Sequence, residues 1–186
     1  VSPDSLGPQL GCEYKEWGIA HRAEFERLHR RGVMDELMFL DLHMVDGAAE
    51  ALSRLSDAGG WIRIITHRIQ NNSGHDVAVA DTVHWLDSVG IPYRDICFLG
   101  QKPQVEADAY VDDAPHNITA LRAAGNQVIV FDTEYNQGLA GPRATDWMDV
   151  ESIVGAMLEH GVQTQLPGFD DPAGRLRHRL AGDPRD

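Results

Sequence analysis

Three residue types suited to phosphate chemistry stand at the ends of consecutive apolar runs between Trp61 and Asp132. Thr66 closes Ile62-Arg63-Ile64-Ile65, Lys102 follows Ile96-Cys97-Phe98-Leu99-Gly100, and Asp112-Asp113 closes Ala109-Tyr110-Val111. A threonine leaving a buried strand offers its hydroxyl and the backbone N–H groups behind it to a phosphate oxygen. Lys102 is followed by Pro103, which fixes the backbone beside it and discourages helix. Two adjacent carboxylates repel each other, and a divalent cation relieves the repulsion. Oxygen ligands from one or two carboxylates, completed by water and phosphate, suit Mg²⁺. Each element alone also has an ordinary reading: a strand-ending threonine, a solvated lysine, an aspartate capping the helix that opens at Pro115. Together they form a constellation, with the lysine 36 residues after the threonine and the acid pair 10 residues later. In open α/β sheets, ligands sit at such strand ends. Arg68 offers a second cation, whereas His67 and His75 read equally well as surface residues. The nine histidines form no H-x-x-x-H or Cys/His cluster that would suggest zinc.

The elements that must position these groups alternate. Apolar residues recur at helical intervals through Ala20–Val33, at Ala20, Ala23, Phe25, Leu28 and Gly32-Val33. Trp17, Phe25, Met38 and Phe39 add large apolar surface without strand alternation, so residues 1–46 read as a small helical piece outside a sheet. From Gly47 onward, helices at Ala48–Ala58, His75–Val89, Pro115–Ala124 and Asp149–Glu159 alternate with strands at Ile62–Ile65, Ile96–Leu99, Tyr110–Val111 and Val128–Phe131. The inner face of the second helix is read as Val77, Ala80, Val83, Trp85-Leu86 and Val89. Gly59-Gly60, Gly90 and Gly125 supply helix stops, and Pro115 a helix start. This alternation predicts an α/β fold with a parallel sheet of Rossmann-like, three-layer architecture over residues 47–162. The tail from 163 to 186 holds prolines, glycines and charges with little periodicity and is expected to be mobile.

Bulk properties narrow the partners. With 16 basic and 29 acidic side chains the 186-residue chain carries a formal charge of −13, which repels nucleic acid and anionic membranes. An anionic substrate must therefore be attracted by a local feature, such as a metal ion or a few placed cations. Cys12 and Cys97 are far apart and belong to no C-x-x-C pair, which fits free thiols in a reducing cytoplasm. No apolar run approaches the roughly 18 residues of a membrane span. An exposed sheet edge or cap face is a candidate surface for a homodimer. No G-x-G-x-x-G follows any strand, which argues against a dinucleotide-binding domain.

The segments Ile64-Ile65-Thr66-His67-Arg68, Gly100-Gln101-Lys102-Pro103 and Tyr110-Val111-Asp112-Asp113-Ala114-Pro115-His116-Asn117 resemble motifs of the haloacid-dehalogenase-like phosphohydrolases. Within them the chain is similar to the 5'(3')-deoxyribonucleotidase branch over about residues 10–136. Receiver domains also combine an acidic pair, a threonine and a lysine, but there the acids come first. The resemblance implies a Mg²⁺-dependent phosphomonoesterase, a 5'-nucleotidase acting on nucleoside monophosphates. It makes Thr66 the phosphate-binding second motif, with His67 and Arg68 beside it, Lys102 the third, and Asp112-Asp113 the metal-binding fourth. Segment 1–46 becomes a cap whose aromatics, Trp17 and Phe25 among them, either face a nucleobase or pack the cap itself. Asn117 is expected to anchor the loop after the acids.

One motif departs. The family's first strand ends in Asp-x-Asp, whose first aspartate attacks phosphorus and whose second acts as general acid and base. Asp4 follows no strand, and Asp41 lies after the cap with no second aspartate two residues on. That strand sits in the sheet between the ones ending at Thr66 and Asp112. Leaving out a buried strand with three large side chains forfeits on the order of 5–10 kcal/mol. The expectation is therefore that the natural product carries this strand upstream of Val1, the alternative being a truncated, non-catalytic member that binds phosphate, metal or a partner.

Overall fold

The computed structural model describes residues 18–19, 21–69, 74–100, 102 and 105–159. The expectations for Trp17 and for the tail 163–186 fall outside these residues. In chain order the elements are helix α1 (Arg22–Asp35), α2 (Ala48–Asp57), strand β1 (Arg63–Thr66), α3 (His75–Ser88), β2 (Asp95–Phe98), β3 (Tyr110–Asp112), α4 (Pro115–Ala123), β4 (Val128–Phe131), a 3₁₀ turn (Glu134–Asn136), β5 (Arg143–Ala144) and α5 (Trp147–Glu159). All strand pairings are parallel, so the α/β class read from the alternation holds. Two elements escaped the sequence reading: the 3₁₀ turn, and β5, whose two residues are too few to show a period.

The strands form two groups, β1–β2 and β3–β4–β5. In the first, Ile64 lies opposite Ile96 and Thr66 opposite Phe98; in the second, Asp112 lies opposite Val130. Val128, Ile129 and Val130 are fully buried, as expected of a central strand covered on both faces. Around them Tyr110, Ile118 and Leu121 make one cluster, and Ile129, Ala144 and Val150 another. Helices α2 and α5 pack together, tied by a bidentate Arg54–Glu151 pair at 2.7 Å. The stop after α2 is backbone geometry: Gly59 has φ +97°, and a Cβ on Gly60 would come within 2.8 Å of the Leu55 carbonyl oxygen.

Two helix faces differ from their expected ones. In α3 the buried stripe is Ala78, Thr82 and Leu86, while Ala80 is exposed. A polar residue sits at the centre of that face because the Thr82 hydroxyl donates to the Ala78 carbonyl at 2.6 Å, so burial leaves no unpaired group. In α1 the inward residues are Gly32 and Val33, with Phe25 and His29 half-buried, whereas Ala23 and Leu28 face solvent. Val33 and Phe39 join Ala78 of α3 in a third cluster, so the described part of segment 1–46 rests on α3.

Two outcomes are expected. Ile118→Ala, which empties a fully buried site, lowers the unfolding free energy measured in urea by about 3 kcal/mol. Burial holds His29 below its ordinary pKa of 6.5, so the unfolded chain takes up the proton first. Stability is then fully present above pH 6.5 and falls as pH drops through the depressed folded value. Thermal melts from pH 8 to 5 therefore show a smaller decline for His29→Gln than for the parent.

Candidate active site

The acid pair is held by its own loop. β3 ends at Asp112, which is 5% exposed, and the chain turns at once into α4 through Ala114 and Pro115. Asp112 Oδ1 accepts from the Ala114 N–H at 2.9 Å and from Asn117 Nδ2 at 3.2 Å, so Asn117 does anchor this loop. Its other oxygen, Oδ2, accepts from Lys102 Nζ at 2.5 Å. The lysine is carried in from the segment before β3, where its carbonyl accepts the Val105 N–H at 3.1 Å. Both side chains are largely withdrawn from solvent, 19% exposed for Lys102 and 2% for Asp112, so the pair is weakly screened.

Asp113 is fixed from the other side by residues that carried no signal in the sequence. Its carboxylate accepts from the Tyr135 hydroxyl, and its carbonyl accepts from Asn136 Nδ2 at 2.9 Å. Asn136 is itself buried and held by Arg143, whose guanidinium donates to the Asn136 side-chain oxygen at 2.8 Å and its carbonyl at 3.1 Å. The 3₁₀ turn and β5 thus act as a brace behind the acids. Across the 3₁₀ turn the Asn136 side-chain oxygen accepts the Thr133 N–H at 3.2 Å.

Thr66 ends β1, as expected, and lines a cavity of about 310 Å³ together with Arg68 and Trp85. His67 links it to the acids. Its Nε2 is buried without a hydrogen-bond partner in the described residues, and its pKa is lowered first by burial and then by the charges of Lys102 and His116, with Asp112 opposing. Side chains from the ends of β1 and β3 thus act on one another electrostatically. Arg68 and Phe25 have other neighbours. The Arg68 guanidinium lies over the rings of Phe39 and Trp85, and Phe25 stacks near His29.

Between β1 and β3 no backbone ladder exists among the described residues, and a cavity of about 550 Å³ lies there. The Ile62 and Thr66 carbonyls accept from Arg94 and Leu99, so even-numbered residues of β1 face β2, and Arg63 and Ile65 turn their N–H and C=O groups toward the cavity. The Tyr110 N–H donates to Gln127, so on β3 it is Ala109 and Val111 that face the cavity. Leu52, Leu55, Val150 and Val154 from α2 and α5 add apolar lining. Side chains span the gap at both ends: Lys102 to Asp112 at the carboxyl end, and Arg63 Nη1 to the Glu106 carbonyl at 3.0 Å at the amino end.

Among the described residues no three His, Cys, Asp or Glu side chains lie close enough to hold a metal by themselves. Asp112 and Asp113 offer carboxylate oxygens on neighbouring residues, each oriented by hydrogen bonds. Such hard, anchored donors fit part of a Mg²⁺ shell, which leaves several positions to water and substrate.

Removing the charge opposite Lys102 is expected to cost more than removing its neighbour. Asp112→Asn lowers the unfolding free energy in urea by about 2 kcal/mol, because a half-buried ammonium loses its counter-ion. Asp113→Asn, which faces a neutral phenol, costs less; equal losses would argue against a special role for the ion pair.

Comparison with known proteins bears on the family. The family model described as "5' nucleotidase, deoxy (Pyrimidine), cytosolic type C protein" matches residues 9–159. A Chlorobaculum tepidum protein named "Putative 5'(3')-deoxyribonucleotidase" is 40% identical over 155 residues, covering 83% of this chain and 77% of the relative. A Bacillus cereus protein named "Putative nucleotidase" is 27% identical over 131 residues, 66% of each chain. With its threonine, lysine and paired aspartates at the ends of parallel strands, the chain belongs to the deoxy (pyrimidine), cytosolic type C family of 5'-nucleotidases, within the haloacid-dehalogenase-like proteins.

Proposed function

We propose that this chain supplies the cap and most of the core of a Mg²⁺-dependent phosphomonoesterase that hydrolyses (deoxy)ribonucleoside monophosphates. The observation that carries the reading is the Lys102–Asp112 pair standing at the mouth of the β1–β3 cavity. Among the described residues no ladder joins the two walls of that cavity, and its lining is mostly apolar. These features support a sixth parallel strand between β1 and β3, encoded upstream of Val1, which completes a Rossmann-like three-layer sheet. A parallel strand in that slot emerges at its carboxyl end between Thr66 and Asp112, directly below Lys102. An Asp-x-Asp sequence there puts a carboxylate within reach of a phosphoryl group held at the strand ends.

In this reading the first aspartate of the inserted strand attacks phosphorus, the nucleoside leaves, and water hydrolyses the aspartyl-phosphate. Thr66 Oγ1 and the N–H groups after it orient the phosphoryl oxygens. Lys102 offsets charge on the transferring group and on the attacking carboxylate. Asp112 and Asp113 hold Mg²⁺, which when bound neutralises phosphate charge as a Lewis acid. Asn117, Tyr135 and Asn136 keep the two carboxylates in place without reorganisation. The cap excludes bulk water and selects the leaving group. Cytoplasmic location and pairing of two copies through a sheet edge or cap face belong to the same proposal; the described residues include no helix long and apolar enough to cross a membrane.

The open slot also favours a second reading for the 186-residue chain itself, as a non-catalytic member that retains phosphate or metal binding. Hydrolysis of a nucleoside monophosphate panel, with and without Mg²⁺, separates the two. The chain preceded by its upstream strand is expected to be active with Mg²⁺ and the 186-residue chain inert. In the longer form Lys102→Met or Asp112→Asn should lose about 100-fold or more in turnover. Inertness of the longer form toward every phosphomonoester tested would sink the hydrolase reading and leave the binding one.

A further inference from the structure

Arg68 leaves β1 two residues after Thr66, a place from which an arginine would ordinarily reach for phosphate. Its surroundings are aromatic instead. Cζ lies 4.7 Å from the centroid of the Phe39 ring and 5.5 Å from that of Trp85, and Nη1 donates to Thr82 Oγ1 at 3.3 Å. Among the described residues its guanidinium pairs with no carboxylate; its neighbours are the two ring faces and the Thr82 hydroxyl, and burial lowers its pKa.

The two rings belong to different parts of the molecule. Trp85 is on α3 of the core, where its Nε1 donates to the Leu42 carbonyl at 2.8 Å. Phe39 lies in the segment that follows α1, is 5% exposed, and meets His29 edge-on at 5.8 Å; His29 in turn lies 5.7 Å from Phe25. A continuous column therefore runs from Phe25 through His29, Phe39 and Arg68 to Trp85, and among the described residues Arg68 joins the cap rings to the core ring. The same three-residue exit, Thr66-His67-Arg68, thus carries a phosphate-binding hydroxyl and the fastening of the cap.

We propose that Arg68 is a positioning residue that sets the seat of the cap over the strand ends and thereby determines which leaving groups fit, and that it is not a phosphate ligand. The proposal rests on the nucleotidase reading for its kinetic consequence but not for its structural one. A guanidinium stacked on both rings holds their spacing, and Lys keeps the cation while losing the planar fork. Met keeps the stem alone.

The test has two arms. In the 186-residue chain, hydrogen exchange of the α1 amides is expected to quicken about tenfold in Arg68→Met, with β1 and β2 unchanged and Arg68→Lys intermediate. Unaltered α1 exchange overturns the proposal, as does a uniform rise across the molecule. In whichever form hydrolyses phosphomonoesters, Arg68→Met should raise KM for a nucleoside monophosphate about tenfold. Turnover of p-nitrophenyl phosphate and inhibition by inorganic phosphate should stay within about twofold of the parent. Weaker inhibition by inorganic phosphate, with both substrates losing turnover alike, marks Arg68 as a phosphate ligand and overturns the proposal. If no form hydrolyses any phosphomonoester, the nucleotidase reading fails and the exchange arm alone decides the role of Arg68.

Discussion

The seam between β1 and β3 governs the rest of the molecule. Buried backbone groups need partners, and parallel strands ordinarily find them in one another. Here the two strands that end in Thr66 and in the acid pair do not pair with each other. Arg63 of β1 donates to the Glu106 carbonyl in the segment before β3, and Lys102 of that same segment pairs with Asp112 at the end of β3. Helices α2 and α5 close over the gap and are fastened by Arg54 and Glu151. Thr66 and Asp112 line different cavities, Thr66 together with Arg68 and Trp85, and Asp112 together with Lys102 between β1 and β3.

Behind the acids the structure is stiff. Asp112 is fixed by Lys102, Ala114 and Asn117, and Asp113 by Tyr135 and Asn136, with Arg143 locking Asn136. Neighbouring carboxylates repel, and in the fold that repulsion is met by a cation on one and hydrogen bonds on the other. Such preorganisation lets charged groups act on a transferring phosphoryl without reorganising. The segment before Gly47 is organised by another force. Among the described residues it meets α3 through the apolar cluster of Val33, Phe39 and Ala78 and through a hydrogen bond from Trp85 to the Leu42 carbonyl, and Arg68 lies over the rings of Phe39 and Trp85. A hard polar site and a soft aromatic fastening thus meet at the three residues that leave β1.

The alternation of helices and strands was legible because each element carried its period or its run in full. Val128–Phe131 is an unbroken apolar run and proves fully buried over its first three residues; Ala48, Ala51 and Leu55 recur at helical spacing and are buried as read. Where the reading failed, polar atoms had been satisfied locally. Thr82 broke the apolar stripe of α3, yet it is buried because its hydroxyl bonds within its own helix. Strand β5 is two residues long and follows a proline, so it showed no pattern. Tyr135 and Asn136 reach Asp113, and Arg143 reaches Asn136, only through folding, and nothing in their local sequence marks them as support for the acids.

The residue order alone determined the chemistry on offer: a hydroxyl, an ammonium and twin carboxylates, each placed where a strand must end. It did so because strand termini are dictated locally, by apolar runs meeting proline, glycine and polar residues. Which of these groups touch, and in which direction each points, was decided by the tertiary structure. Lys102 joined Asp112 because both lie at one mouth of the seam. Arg68 went to Phe39 and Trp85 because folding brings a ring from the segment after α1 and a ring from α3 to either side of a half-buried planar cation, whose charge both faces attract.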